Sequence, residues 1–244
     1  MKLTYIFHSG FVVESGGASV VIDFFPNPTH PAESLKPVHA AMKDRGGFYA
    51  LATHAHADHF WPGIFGWKAA RGDIKYVLSD DVKIPPDAPA EGIALLKKGG
   101  VFSDGRIRVE AFGSTDAGCS FLIELDGRKI FHAGDLNNWH WREESTEAEA
   151  AEAQGRYLAE LGEIARAAPE LDLAMFPVDP RLGGEYMLGA EQFLSAVRAK
   201  NFAPMHFSWD GEKGYAKAAA LREFAESAGA RFISWTRECE SAEF

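Results

Sequence analysis

One ten-residue run, Leu51-Ala-Thr-His-Ala-His-Ala-Asp-His-Phe60, constrains this chain more than any other segment. The apolar stretch Phe48-Tyr-Ala-Leu-Ala-Thr53 reads as a strand, and four side chains suited to ligating metal ions, His54, His56, Asp58 and His59, begin where it ends. An extended backbone points His54 and His56, two residues apart, to one side. Pro62 reads as the opening of a helix to about Arg71, and the turn toward it brings Asp58 and His59 round to the same cavity from another direction. Four donors at two angles suit two adjacent ions better than one. Imidazole and carboxylate accept zinc, manganese or iron, with Zn2+ the first expectation and Mn2+ or Fe2+ the alternatives.

The surrounding pattern is that of one α/β domain over residues 1–244. Leu3–Phe7, Gly10–Glu14 and Ser19–Asp23 read as strands, with Gly16-Gly17 as a hairpin turn. Tyr76–Leu78, Ile107–Phe112, Cys119–Leu125 and Lys129–His132 follow, the last two joined by Asp126-Gly127. Thr146-x-x-Glu149 is a capping box ahead of a long helix ended by Pro169. After it come a strand from Leu171 to Phe176, a helix over about 190–199, a strand ending at Met205, and a last helix over Tyr215–Ala228 capped by Gly229. A chain of 244 residues with 46% apolar content can build one sizeable core.

Charge and cysteine content narrow the function classes. A formal charge of −10 disfavours broad nucleic-acid binding, and no run of Lys and Arg builds a local basic patch. Cys119 and Cys239 set no disulfide framework, and neither has zinc-knuckle spacing. No segment has transmembrane length or a signal-peptide h-region, so a cytoplasmic protein without a membrane partner is expected. The partner expected is a small-molecule substrate, and no feature specifies an oligomeric state.

Two further strand ends carry donors. Lys129–His132 runs into Ala133-Gly134-Asp135, where Gly134 allows close backbone approach, and Phe202-Ala-Pro-Met-His206 ends in a histidine. Taken alone, each has a plain structural reading, as a capping aspartate or a core histidine.

With these residues in order, the chain resembles the metallo-β-lactamase-fold hydrolase superfamily over nearly its whole length. The motif H-x-H-x-D-H carries the resemblance, and Asp135 and His206 fall at its later ligand positions. Phe7–Phe11, Val21–Asp23, Phe131–Asp135, Phe176–Val178, Glu185–Met187 and Pro204–His206 make it similar to the branch containing ascorbate-phosphate lactonase. The resemblance implies a four-layer αβ/βα sandwich. It also implies that His54 and His56 hold a first metal, that Asp58, His59 and His206 hold a second, and that Asp135 bridges them. One position departs: Ser114 stands where the superfamily has a further first-metal histidine. Asp116 and His140 are the candidate replacements; without either, a one-metal site is expected.

The function implied is hydrolysis of an ester, lactone or phosphoester in a small molecule. A metal ion lowers the pKa of its water from near 16 to about 7, and the resulting hydroxide is the expected nucleophile. Asp58 is expected to hold metal and nucleophile, and His8, His132 and His140 are candidate proton donors to the leaving group, with His140 taken with Asp58 as catalytic. Trp61, Trp139, Trp141 and Trp209 are candidate pocket walls, and Arg142 and Arg181 candidate anion binders. The competing readings are a nuclease or phosphodiesterase of the same fold and a metal-binding protein without catalysis.

Overall fold

A computed structural model describes residues 1–244 as two packed sheets with helices outside them. The first half supplies strands β1 (Lys2–Tyr5), β2 (Phe11–Glu14), β3 (Ala18–Ile22), β4 (Gly47–Ala52), β5 (Lys75–Ser79) and β6 (Ile93–Leu96). Next come β7 (Val101–Ser103), β8 (Ile107–Phe112), β9 (Ser120–Leu125) and β10 (Arg128–His132). The remainder are β11 (Glu170–Leu171), β12 (Leu173–Pro177), β13 (Arg198–Ala199), β14 (Asn201–Met205), β15 (Arg231–Phe232) and β16 (Ser241–Glu243). One seven-stranded sheet has the order β16-β1-β2-β3-β4-β5-β6 and the other β15-β14-β12-β10-β9-β8-β7, while β11 and β13 pair separately.

Alternation along the strands builds the layers. In β2, Phe11 and Val13 face the large core between and around the sheets, and Val12 faces a second apolar cluster behind the first sheet. In β4, Tyr49 and Leu51 face the large core, whereas Phe48, Ala50 and Ala52 face the other way. A sheet buried on both faces needs a covering layer. Helix α1 (Pro31–Ala41) provides it on one side through Val38 and Ala41. On the far side, α2 (Glu147–Ala167) and α3 (Leu188–Ala196) seat Tyr157, Leu161, Ile164 and Phe193 in the large core. Two further helices, α4 (Glu212–Ala219) and α5 (Arg222–Ser227), complete a four-layer αβ/βα sandwich.

The local signals mostly hold. Thr146 and Glu149 make the reciprocal capping box, and Asp126-Gly127 turns β9 into β10 with both φ positive. Three details differ. The segment after Pro62 is a 3₁₀ helix over Pro62–Ala69, not an α-helix to Arg71; Gly63 and Gly66 weaken α-helix while Ile64, Phe65 and Trp67 are all buried. The last helix is broken between α4 and α5 by i→i−3 bonds at Ala220 and Leu221, which let Leu221 reach full burial. Helix α1 lies in a stretch where the sequence pattern indicates none, and β6 and β7 fall within the mostly β stretch from Ile74 to His132 without being picked out as separate runs.

Strand directions position the site. β3, β4 and β5 run parallel, as do β10, β12 and β14. Their C-terminal ends carry Asp23, His54, Asp135, Asp179 and His206 toward one edge of the sandwich, the place where α/β sheets present ligating groups.

Candidate metal centre

The backbone is most contorted where it serves this edge. Six non-glycine residues have positive φ, and four of them, His8, Asp23, Trp141 and His206, belong to the site. Such conformations are disfavoured for L-residues and persist where surrounding contacts over-determine them. The His8 N–H donates to Ser208 Oγ at 2.9 Å and its carbonyl accepts the His206 N–H at 3.0 Å, so two sheet ends hold it. Gly118 is needed for approach, since a Cβ there would lie 2.2 Å from the Thr53 carbonyl and 2.5 Å from His54 Cβ. Gly134 plays the same part against Thr53 Oγ1.

Asp135 is the centre of the cluster. Its Oδ2 lies 3.3 Å from His54 Nε2, while its Oδ1 lies 3.0 Å from His59 Nε2 and 3.2 Å from His206 Nε2. These separations are close to the ~3.3 Å between donors that each sit ~2.0–2.1 Å from one tetrahedral ion. The three imidazole nitrogens and Asp135 Oδ1 are buried and have no hydrogen-bond partner. Unpaired buried polar atoms cost about 1–3 kcal/mol each, and a cation between them removes that cost. The residues therefore fit a metal ion.

The opposite ring nitrogens are fixed from behind. His59 Nδ1 lies 2.8 Å from Asp23 Oδ2, and His206 Nδ1 lies 2.9 Å from Asp179 Oδ2. His54 Nδ1 lies 3.1 Å from Thr53 Oγ1, which itself donates to Asp23 at 2.6 Å. A carboxylate behind an imidazole sets its tautomer and leaves the other nitrogen as the donor to a metal. Without an ion, burial disfavours the charged His206 ring, but Asp135 and Asp179 outweigh it and push its pKa up to about 9. Burial opposes ionisation of Asp135 too, and His59 and His206 hold its carboxyl well below the usual range.

The other expected residues divide. Asp58 Oδ2 lies 3.3 Å from His8 Nε2, and these two join His59 and His206 as a mutually close donor group. Burial would raise the Asp58 pKa, yet His8 and His59 hold it far below the carboxylate range. His54, His56 and Asp135 form a second donor group. His56 is half-exposed, and its nearest acidic neighbour is Asp116 at 3.6 Å. Ser114 accepts the Asp116 N–H at 3.3 Å, and Thr115 is bonded to Asn137 in both directions, so this loop presents Asp116 to His56.

His140 is not brought to the cluster, in contrast to its expected catalytic or ligating role. Its Nε2 lies 3.3 Å from the Glu185 carbonyl and its Nδ1 accepts the Arg142 N–H at 3.2 Å, so both nitrogens are engaged with main chain. His132 is engaged likewise, with the Ser9 carbonyl at 2.9 Å and the Gly134 N–H at 3.1 Å. His8 alone of the three keeps both ring nitrogens free of hydrogen bonds. Burial, reinforced by His206, pushes its pKa down to about 3, so the ring is neutral.

Two residues beyond the expected set contact the buried rings from behind, Asp23 and Asp179. Asp23 ends the apolar run Ala18–Ile22 and Asp179 follows Leu173–Val178. A carboxylate closing a fully buried strand must find a partner, and that is the signal that marks them.

The cluster opens on a cavity of about 320 Å³. Its floor is His56, Asp58, Asp116, Asp135 and His206; Trp139, Trp141 and Arg181 form the wall. Trp61 packs instead against Phe24, and Arg142 pairs with Glu185.

No protein-family model matches the chain. It is 29% identical over 221 residues to a UPF0173 metal-dependent hydrolase from Symbiobacterium thermophilum, covering 85% of this chain and 84% of that one. A UPF0173 metal-dependent hydrolase from Pelotomaculum thermopropionicum is 27% identical over 257 residues, with 96% and 97% covered. Among solved structures, the metallo hydrolase Igni18 from Ignicoccus hospitalis is similar with a TM-score of 0.68 at 20% identity, covering 100% of this chain and 98% of that one. The metallo-beta-lactamase fold protein YhfI from Bacillus subtilis follows with a TM-score of 0.61 at 12% identity, over 99% and 98% of the two chains. The chain thus has the metallo-β-lactamase fold, and along most of its length its sequence is similar to UPF0173 metal-dependent hydrolases.

Proposed function

We propose that the protein hydrolyses an ester, lactone or phosphoester bond in a small molecule, using one or two divalent ions held at the C-terminal ends of its strands. The observation that carries this reading is the set of buried, unpaired donor atoms of His54, His59, His206 and Asp135 facing one another beside an open cavity. His59, His206 and Asp58 would hold one ion, His54 and His56 the other, and Asp135 has an oxygen toward each group. Asp116 is the replacement for the histidine missing at Ser114, because it alone of the two candidates reaches His56. When bound, such ions supply Lewis acidity and activate water at neutral pH, and zinc is the first expectation with manganese or iron as alternatives.

The chain's own residues do the rest. Asp58 lines the cavity as an ionised carboxylate, placed to accept a hydrogen bond from the attacking water and orient it. His8 Nε2 lies 3.3 Å from this carboxylate. Trp139 and Trp141 exclude bulk water from one side, which strengthens electrostatic interactions within. The motifs around Phe7–Phe11, Phe131–Asp135 and Glu185–Met187 extend the proposal to the branch resembling ascorbate-phosphate lactonase, with a lactone as the scissile group.

The test is metal analysis of the purified protein with a panel of ester, lactone, thioester and phosphodiester substrates, on wild type and Asp58→Ala. The expected result is one or two metal equivalents per chain and turnover of at least one ester-class substrate, lost about 100-fold or more in the variant with folding intact. Metal content with no turnover would mark a binding protein, and preference for bis-nitrophenyl phosphate with steep salt dependence would mark a phosphodiesterase.

A further inference from the structure

The cavity wall carries information about the substrate that the metal centre does not. Arg181 is the single Arg or Lys among the lining residues, facing a floor with three carboxylates. Its conformation is locked from one side. Nε donates to Asp179 Oδ1 and Oδ2 at 3.0 and 2.9 Å, and Nη2 donates to Oδ2 at 2.5 Å. Nη1 has no protein partner, and about half of the side chain is exposed. Asp179 is itself buried and holds His206 through Oδ2. The guanidinium is thus registered to a donor of the metal centre through a single shared carboxylate.

A structural ion pair alone would need only one charge partner and no opening. Here one edge of the fork is used to fix the group, and Nη1 of this cavity-lining residue is left without a protein partner. A planar guanidinium held this way is suited to an oxyanion. Beside it, the Trp139 and Trp141 rings lie nearly parallel, 13° apart with centroids at 6.1 Å. Trp139 is tied by its Nε1–H to the Asp135 carbonyl at 2.7 Å. Trp141 adopts a φ of 39°, a conformation that a bulky residue enters only when the loop imposes it, and its carbonyl accepts both the Glu144 and Ser145 N–H groups at 2.8 Å. The loop is therefore braced to present two indoles at the mouth of the site.

We propose that the substrate is a small anion with a planar apolar body, its carboxylate or phosphate bound at the free edge of Arg181 and its body against Trp139 and Trp141. The proposal rests on the hydrolase reading and adds the substrate class. The scissile group lies over the metal centre, so the charged group recognised by Arg181 is a second, non-reacting part of the molecule. A cavity of about 320 Å³ is large enough for a molecule of this kind.

The test separates the metal centre from the subsite by binding. Benzohydroxamate chelates metal ions and is planar; its 4-carboxy and 4-phosphono derivatives add a distal oxyanion and distinguish the two sources of negative charge. Affinities are measured by calorimetry and tryptophan quenching on metal-loaded wild type, Arg181→Met and Arg181→Lys, with metal content checked for each. In wild type, at least one derivative should bind about tenfold tighter than benzohydroxamate. That preference, taken as the ratio of derivative to benzohydroxamate affinity within each protein so that any change at the metal centre cancels, should vanish in Arg181→Met and return in part in Arg181→Lys. An equal preference in wild type and Arg181→Met would overturn the subsite while leaving the metal centre standing. Failure of every hydroxamate to bind wild type would overturn the metal-centre reading and the subsite with it.

Discussion

The two sides of the proposed metal centre are built to different standards. On one side, His59 and His206 are buried, each ring is backed by a carboxylate, and the carboxylates are held in turn: Asp23 by Thr53, Asp179 by Arg181. On the other, His56 and Asp116 are both about half-exposed, 3.6 Å apart, on loops. The first side is organised before any ion arrives, so binding there orders little further structure. The second must be ordered by the ion itself, and each loosely held side chain lowers the affinity. The proposed centre would thus combine one rigid site with one adaptable site, joined by Asp135.

The largest effect is expected where the two sides meet. Asp135→Ala removes the one carboxylate that approaches the Nε2 atoms of all three of His54, His59 and His206, and metal content after desalting should fall to near zero. Retention of one full equivalent would show that the rigid side stands without its bridge. Next in size is Asp23→Asn, which leaves every proposed ligand in place but weakens the hold on His59. Metal affinity on the rigid side should drop about 10- to 100-fold by competition with a chromophoric chelator. An unchanged affinity would break the account of that side as pre-organised.

Smaller changes are expected on the exposed side. Asp116→Ala should weaken only the looser ion, by about tenfold or less, and Ser114→His should strengthen it, both read as the second step of a metal titration. If Asp116→Ala abolishes binding of both ions, the two sides are not independent.

The smallest expected effect is a pH signature confined to the rigid side and to the metal-free protein. The His206 pKa is raised from 6.5 to about 9, so its charged form contributes stability that is complete below about pH 6.5 and lost as pH rises through about 9. Chelated protein should therefore lose thermal stability over that range, and metal-loaded protein, whose ring nitrogen holds an ion in place of the proton, should lose less. Parallel pH profiles for the two forms would contradict the assignment of His206 to the site.

Much of this was legible from residue order because it is local. The hairpin at Asp126-Gly127, the capping box at Thr146 and the Gly229 cap depend on neighbours within a few residues, and each forms as its chemistry dictates. Helix α1 was hidden by Pro31 and Pro37; Pro31 sits at the first turn, where its missing N–H costs nothing. Strands β6 and β7 are short and half-exposed, so they lack a buried alternation to mark them.

For the site the same boundary applies. The spacing in His54-Ala-His-Ala-Asp-His59, with Asp135 and His206 at later strand ends, was determined by the sequence alone, because donors placed at the ends of parallel strands converge whatever the loops do. Only the tertiary structure decided that His132 and His140 serve the main chain, that Asp116 lies beside His56, and that Asp23 and Asp179 back the buried rings. Each of those outcomes depends on atoms far apart in the chain, on which way a ring nitrogen faces and on what lies within 3 Å of it. Residue order alone carries no such information.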